Sequence, residues 1–193
     1  LKIIDLAWPL QMQSCRCRRW YAGVEERSKE EYTCLALTPG TYKWGKWPEM
    51  FRGGTAFTTP EETKEWFKKM DKEGFVHLVG TVGDPPKIYG MCNCDTSSCI
   101  ALRQLRTYGI KRNLEGHFVA DLDWDACNGC GECVKRCQFS ALMLSPKEKK
   151  VVHDKFSCYG CGLCVSVCPV QAFSMVPRET FPALLETWGK PKV

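Results

Sequence analysis

The chain has 193 residues, a formal net charge of +5 and 14 cysteines. This length predicts one or two domains, and no apolar stretch approaches the ~18–20 residues of a membrane-spanning helix, so we expect no direct membrane insertion. Lysine and arginine are scattered along the chain rather than gathered in a stripe, so the positive charge does not indicate a nucleic-acid partner.

The first cysteine group lies near the N-terminus, where Cys15 and Cys17 form a Cys-x-Cys pair among arginines and Cys34 follows. Two cysteines at this spacing do not easily form a disulfide with each other, but they can present two thiolates to one metal. The neighbouring arginines would lower the pKa values of the thiols and offset the charge of a metal centre. A solvated basic patch is the alternative interpretation.

A helix and a strand are predicted next. Thr59 is the N-cap and Glu62 completes a capping box, while Gly74 ends the helix. The segment from Phe75 to Val82 predicts a strand, in which His77 is interpreted as a satisfied core histidine rather than a metal ligand. A helix before a strand also occurs in winged-helix-like units, but this segment offers no recognition helix with base-reading residues.

A second group, Cys92, Cys94 and Cys99, mirrors the first. Cys99 begins a predicted helix that runs to Tyr108, and the helix dipole stabilises a thiolate at that end. Six thiols in a reducing cell are rarely all structural, so we expect at least four to bind a metal centre. An iron–sulfur cluster is preferred, zinc is the main rival, and free buried cysteines are the remaining alternative. The candidate ligands are Cys15, Cys17, Cys34, Cys92, Cys94 and Cys99.

The C-terminal half contains one cysteine run twice, with Cys-x2-Cys-x2-Cys-x3-Cys spacing and an offset of 31 residues. Three cysteines of a run can wrap one iron–sulfur cube, while the fourth, on the next helical turn, reaches the other cube. The flanks repeat as well, with Asp121 before the first run and Asp154 before the second. Zinc ribbons, which offer two separated cysteine pairs, and disulfides are the alternatives. We assign Cys127, Cys130, Cys133 and Cys168 to cluster I, and Cys158, Cys161, Cys164 and Cys137 to cluster II.

The paired runs resemble those of the bacterial-type dicluster ferredoxins, which bind two [4Fe–4S] clusters, and the resemblance covers Phe118 to Val176. It implies a ferredoxin-like fold with pseudo-twofold symmetry and the transfer of single electrons. One departure is Gln138, which stands where Pro169 follows the second run. We therefore expect the backbone and the reduction potential of cluster II to differ from the family pattern.

The N-terminal half resembles uncharacterised cysteine-rich modules that are fused to dicluster ferredoxins in anaerobic bacteria and archaea. Such modules often carry further cysteines after Cys-Asn-Cys, where this chain has Asp95, Ser97 and Ser98. The segments that carry the resemblance are Cys15-Arg16-Cys17-Arg18, Cys34, Gly74-Phe75-Val76-His77 and Cys92-Asn93-Cys94.

Together these patterns predict an α+β chain in three parts. Residues 1–113 would form a small mixed α/β module with the additional metal site. Residues 114–176 would form the pseudo-twofold ferredoxin domain, in which residues 142–152 predict a β-hairpin with a basic tip. Residues 177–193 would form a docking tail with a short helix, packed on the N-terminal module or on another subunit.

We expect an electron-transfer protein of the cytoplasm, acting as a subunit or partner of a larger anaerobic oxidoreductase. The sequence shows no nucleophile–base pair, phosphate loop or dinucleotide fingerprint, so a flavoprotein or metalloenzyme partner would carry the substrate chemistry. Two oxidised clusters of about −2 each would bring the net charge of +5 to about +1. The alternatives are a redox or metal sensor and an enzyme subunit whose N-terminal cluster binds substrate.

Overall fold

A computed structural model of the chain describes residues 2–37, 54–85, 87–110 and 116–188, with side chains as far as residue 185. The chain divides into two compact units, Leu1–Leu102 (unit 1) and Arg103–Val193 (unit 2). The predicted connector lies largely outside the described residues, as does the predicted boundary between residues 113 and 114. Helices and strands occur in both units, which confirms a mixed α+β chain.

Unit 1 is built on an antiparallel five-stranded sheet with the strand order β3-β1-β2-β5-β4. Its strands are β1 Leu10–Gln13, β2 Cys34–Leu37, β3 Thr55–Thr58, β4 Val76–Val82 and β5 Lys87–Cys94. Its helices are α1 Lys2–Leu6 and α2 Pro60–Glu73, and α3 Ile100–Tyr108 begins at its C-terminal edge.

Helix α2 has the ends that the sequence predicts. The backbone N–H of Glu62 donates to Oγ1 of Thr59 at 3.2 Å, and the N–H of Thr59 donates back to the Glu62 carboxylate at 3.2 Å. Gly74 ends the helix with a φ of +89°, a conformation that glycine adopts without a steric penalty. The buried face of α2 carries Trp66 and Phe67, which pack in a core with apolar residues of β1, β2 and β5.

The two faces of this sheet have different roles because side chains alternate along each strand. Leu35 of β2 and Met91 of β5 belong to the apolar core beneath α2. The neighbouring strand positions hold Cys34, Cys92 and Cys94, so these cysteines lie on the opposite face. Strand register therefore separates the apolar core from the thiols.

Unit 2 repeats one arrangement of strand, cysteine loop, short helix and strand. The first copy contributes β6 Phe118–Leu122, α4 Glu132–Arg136 and β7 Leu142–Leu144; the second contributes β8 Val151–His153, α5 Leu163–Val167 and β9 Phe173–Pro177. Strand β6 pairs with β9, and β7 pairs with β8 in the predicted hairpin. Each sheet thus joins the first strand of one copy to the last strand of the other, which brings the two cysteine runs together.

The tail contains helix α6, Pro182–Trp188, where a short helix was predicted. Leu184 is only 2% exposed and packs in the core of unit 2. The docking role of the tail stays a prediction. Among the described residues, no helix combines the length and the apolar character that a bilayer crossing demands.

Candidate metal centres

A cavity of about 340 Å³ in unit 2 is lined by four cysteines. Cys158, Cys161 and Cys164 come from the second run, and Cys137 is the last cysteine of the first run. Apolar side chains line much of the remaining wall, including Ala120, Phe139, Leu142, Tyr159 and Leu163. The structure thus brings together the four thiols that spacing assigned to cluster II.

The other four cysteines of the runs also lie near one another. Cys133 interacts electrostatically with Cys130 and Cys127 of its own run and with Cys168 of the other. Cys127 and Cys133 are buried, whereas Cys130 is exposed. The site assigned to cluster I therefore opens toward the surface of unit 2.

Burial keeps the thiols of the runs protonated when no metal is bound. It raises the pKa of Cys133 to about 11, of Cys161 to about 11 and of Cys164 to about 12, and neighbouring thiolates raise these values further. Because a metal binds the thiolate form, loading these sites releases protons.

Two glycines let the cysteine loops pack closely against backbone. A Cβ on Gly160 would lie 2.1 Å from the carbonyl oxygen of Phe118, and one on Gly129 would lie 1.9 Å from that of Lys149. Both glycines have positive φ angles, +87° and +73°. A side chain at either position would push its cysteine loop away from the neighbouring strand.

An aspartate folds the loop before each run, but the pairing of flanks expected from the sequence is wrong. Asp154 accepts a hydrogen bond from the backbone N–H of Phe156 at 2.9 Å, and Asp123 accepts one from Asp125 at 3.0 Å. Asp123, not Asp121, is thus the structural counterpart of Asp154, and the offset between them is again 31 residues. Asp121 instead pairs with Lys155 at 2.5 Å.

The six cysteines of unit 1 form one continuous line of contacting thiols. Cys34 and Cys92 lie directly opposite each other in β2 and β5, with their sulfur atoms 3.8 Å apart. Hydrogen bonds between thiols extend this pair in both directions. The order along the line is Cys17, Cys15, Cys34, Cys92, Cys94, Cys99.

Thiols in such a line cannot all ionise without compensating charge. The pKa of Cys34 is raised, first because of its hydrogen bond with Cys15. The pKa of Cys92 is lowered, first because of its hydrogen bond with Cys34. A bound cationic centre is what would stabilise four or more thiolates here.

A buried glutamate ties the first cysteine loop to the sheet. The carboxylate of Glu26, which is 5% exposed, accepts hydrogen bonds from the backbone N–H groups of Cys15 at 2.8 Å and of Thr33 at 3.2 Å. It also accepts the hydroxyl of Thr33 at 2.6 Å. Burial raises the pKa of Glu26, although these hydrogen bonds oppose the shift. Because Thr33 precedes Cys34, one carboxylate places two of the cysteines.

Arg18 connects this glutamate to the second cysteine group. Its Nε lies 3.5 Å from Oε1 of Glu26, and its guanidinium pairs with the carboxylate of Asp95. The guanidinium also lies 4.7 Å from the centre of the Phe75 ring. Residues far apart in sequence are thereby held in one network beside the thiols.

Asp95 closes the loop between Cys94 and Cys99. Its carboxylate accepts the backbone N–H groups of Ser97 at 2.9 Å and of Ser98 at 2.8 Å. The positions where related modules carry further cysteines are therefore used here to shape the loop. His77, as predicted, is satisfied within the sheet, with Nδ1 lying 2.6 Å from Oδ1 of Asn93.

No three His, Cys, Asp or Glu side chains in the described ranges surround one point closely enough to hold a single metal ion. This applies to the two runs as well as to the N-terminal line of thiols. A cluster has a different requirement, because its inorganic core separates its four ligands more widely than one ion does.

Sequence reasoning missed Glu26 and Arg178. Glu26 lies in a charged stretch from Glu25 to Glu31 and carries no signal of burial. Arg178 is 3% exposed, and its signal was the repeat itself, since Pro177-Arg178 follows Pro146-Lys147 at the offset of the cysteine runs.

A family model described as a 4Fe-4S dicluster domain matches residues 120–175. A search of curated proteins found no match for the chain. The family match covers all eight cysteines of the two runs and none of the six in unit 1. Together with the 14 cysteines of the chain, it supports an iron–sulfur electron-transfer role, with a ferredoxin-type domain at residues 120–175.

Proposed function

We propose that this chain carries single electrons through two [4Fe–4S] clusters whose ligand sets exchange their fourth cysteine. The observation that carries the proposal is the cavity in which Cys137 meets three cysteines of the other run. Four converging thiolates are the ligand set of such a cluster. Cluster I takes Cys127, Cys130, Cys133 and Cys168, and cluster II takes Cys158, Cys161, Cys164 and Cys137.

The clusters supply the one-electron chemistry, and the chain holds them and excludes water. Tyr159 and Phe173 are 7% and 5% exposed, and Phe139 stacks on Tyr159 with ring centres 4.7 Å apart. Such an apolar wall disfavours additional negative charge and so lowers the reduction potential of a cluster. Phe156, at 52% exposure, contributes little to this shield.

A redox partner is part of this proposal. Cys130 is exposed while the other two cysteines of its loop are buried, which favours electron exchange through cluster I. The partner would be a flavoprotein or metalloenzyme subunit of an anaerobic oxidoreductase in the cytoplasm. Neither nucleic acid nor direct membrane insertion has a place in this function.

We infer in addition that the N-terminal thiols hold a metal centre, with a third iron–sulfur cluster preferred over zinc. The line of six contacting cysteines supports this, because at least four thiolates can be drawn from it. Zinc prefers a compact tetrahedron of four ligands. A line of thiols requires more rearrangement to reach that geometry than to surround a larger core.

The proposal is tested by counting iron, zinc and sulfide in protein purified without oxygen. Two cubes give about eight irons per chain and three give about twelve. The substitutions Cys137→Ser and Cys168→Ser should each remove one cluster, cluster II in the first case and cluster I in the second. Disulfides among these eight cysteines, or zinc in their place, would contradict the proposal.

Redox sensing is a second candidate function that one observation favours. The sulfur atoms of Cys34 and Cys92 lie 3.8 Å apart on directly paired strand positions. Two-electron oxidation by a peroxide would join them in a disulfide, with both protons released and the peroxide reduced. Mass spectrometry after alkylation of the metal-free protein would detect the bond, and its absence after peroxide treatment would remove this candidate.

A further inference from the structure

The two repeats of unit 2 place a basic residue at equivalent positions, but only one of these residues is buried. Pro146-Lys147 and Pro177-Arg178 are 31 residues apart, the offset of the cysteine runs. The Lys147 side chain is 91% exposed and lies 3.8 Å from the carboxylate of Glu148. Arg178 is 3% exposed. The pseudo-twofold symmetry of the fold is therefore broken in charge.

Arg178 is held against the loop that carries the ligands of cluster II. Its Nε donates to the carbonyl oxygen of Gly116 at 2.8 Å, and its Nη2 donates to that of Phe118 at 3.0 Å. The same Nη2 donates to the carbonyl oxygens of Cys158 at 3.0 Å and of Tyr159 at 3.2 Å. The guanidinium thus touches the backbone of a cluster II ligand directly.

A fixed positive charge at this position acts on the electron that a cluster accepts. Reduction adds one negative charge to the cluster, and a nearby cation stabilises the reduced form most strongly where water is excluded. Near cluster I, Lys150 donates to the carbonyl oxygen of Trp124 at 2.8 Å. That contact is exposed, so solvent and salt screen its charge.

We propose that Arg178 raises the reduction potential of cluster II above that of cluster I, so that the first electron entering the chain resides on cluster II. This inference rests on the proposed function and assigns an order to its two clusters. With cluster I nearer the surface at Cys130, electrons would enter or leave through the cluster of lower potential and be stored on the other.

The test is an anaerobic redox titration followed by electron paramagnetic resonance, on the full chain and three variants. The unmodified chain should show two separate midpoints. Arg178→Gln should lower the higher midpoint by at least about 59 mV, a tenfold change for a one-electron couple, and leave the lower one in place. Lys147→Gln, the matched control at the exposed position, should leave both midpoints unchanged.

Arg178→Lys separates the effect of charge from that of structure. It keeps the cation but not the fork of hydrogen bonds, so most of the separation between midpoints should remain. Loss of the separation in Arg178→Lys with full iron content would overturn the inference, as would equal midpoints in the unmodified chain or an equal shift of both in Arg178→Gln. An unmodified chain without about eight irons would instead refute the proposed function itself.

Discussion

The two units collect their cysteines in different ways. The eight cysteines of unit 2 lie within the 42 residues from Cys127 to Cys168, and their spacing already suits a cluster. The six of unit 1 are spread over the 85 residues from Cys15 to Cys99, and strand pairing brings them together. A local motif can therefore form around a metal, whereas the N-terminal site requires a folded sheet first.

The cores of the two units differ in the same sense. The core of unit 1 contains Leu10, Leu35 and Phe67 among its members and includes no cysteine among the described residues. The core of unit 2 includes Cys127 and Cys158 together with apolar residues. Packing alone stabilises the first core, while the second depends on what its cysteines bind.

Removal of metal should therefore have the largest effect, and it should act on one unit. Anaerobic treatment with an iron chelator should unfold the region 116–185, because ligands that form part of its core lose their centre. Helix α2 and the sheet of unit 1 should stay folded. Hydrogen exchange measured by segment would check this, and equal loss of protection in both units would contradict the difference between the cores.

The substitution Gly160→Ala should follow in magnitude. The new Cβ would lie 2.1 Å from the carbonyl oxygen of Phe118 at a φ of +87°, so the loop of cluster II must move. We expect loss of about four irons, one cube. Gly131→Ala is the matched control, because it has a similar φ of +74° but nothing within 4 Å of its Cβ. It should keep its iron and cost about 1–2 kcal/mol of stability; similar iron loss in both variants would argue against a steric cause.

Glu26→Gln should impair only the N-terminal site. An amide nitrogen would face the backbone N–H groups of Cys15 and Thr33, which now donate to the carboxylate, and an unmet buried donor costs about 1–3 kcal/mol. Metal analysis should show loss of the N-terminal centre with the two clusters of unit 2 retained. Glu25→Gln is the control, since the side chain of Glu25 is 51% exposed. Unchanged metal content in Glu26→Gln would mean that the carboxylate does not position the thiols.

Thr59→Ala should have the smallest effect. Loss of the N-cap of α2 should destabilise unit 1 by about 1 kcal/mol without changing the metal content of either unit. Chemical denaturation with and without chelator would measure it. A cost that depends on metal would indicate that the core beneath α2 is coupled to the thiols on the other face of the sheet.

The sequence by itself determined the features that depend on near neighbours. The capping box of α2, the hairpin of β7 and β8, and the cysteine runs all follow from residues a few positions apart, so spacing and local hydrogen bonds suffice to predict them. Even there, the repeat was misaligned at one point. The loop-folding aspartate is Asp123, which the offset of the runs would have identified.

Only the tertiary structure decided which distant residues meet. The line of six thiols depends on the register of β2 and β5, and the burial of Glu26 and Arg178 depends on backbone groups far away in the chain. Register and burial are set by long-range packing, which residue types at one position do not reveal. For the same reason Lys147 and Arg178, alike in sequence context, differ in exposure and in the charge they present to a cluster.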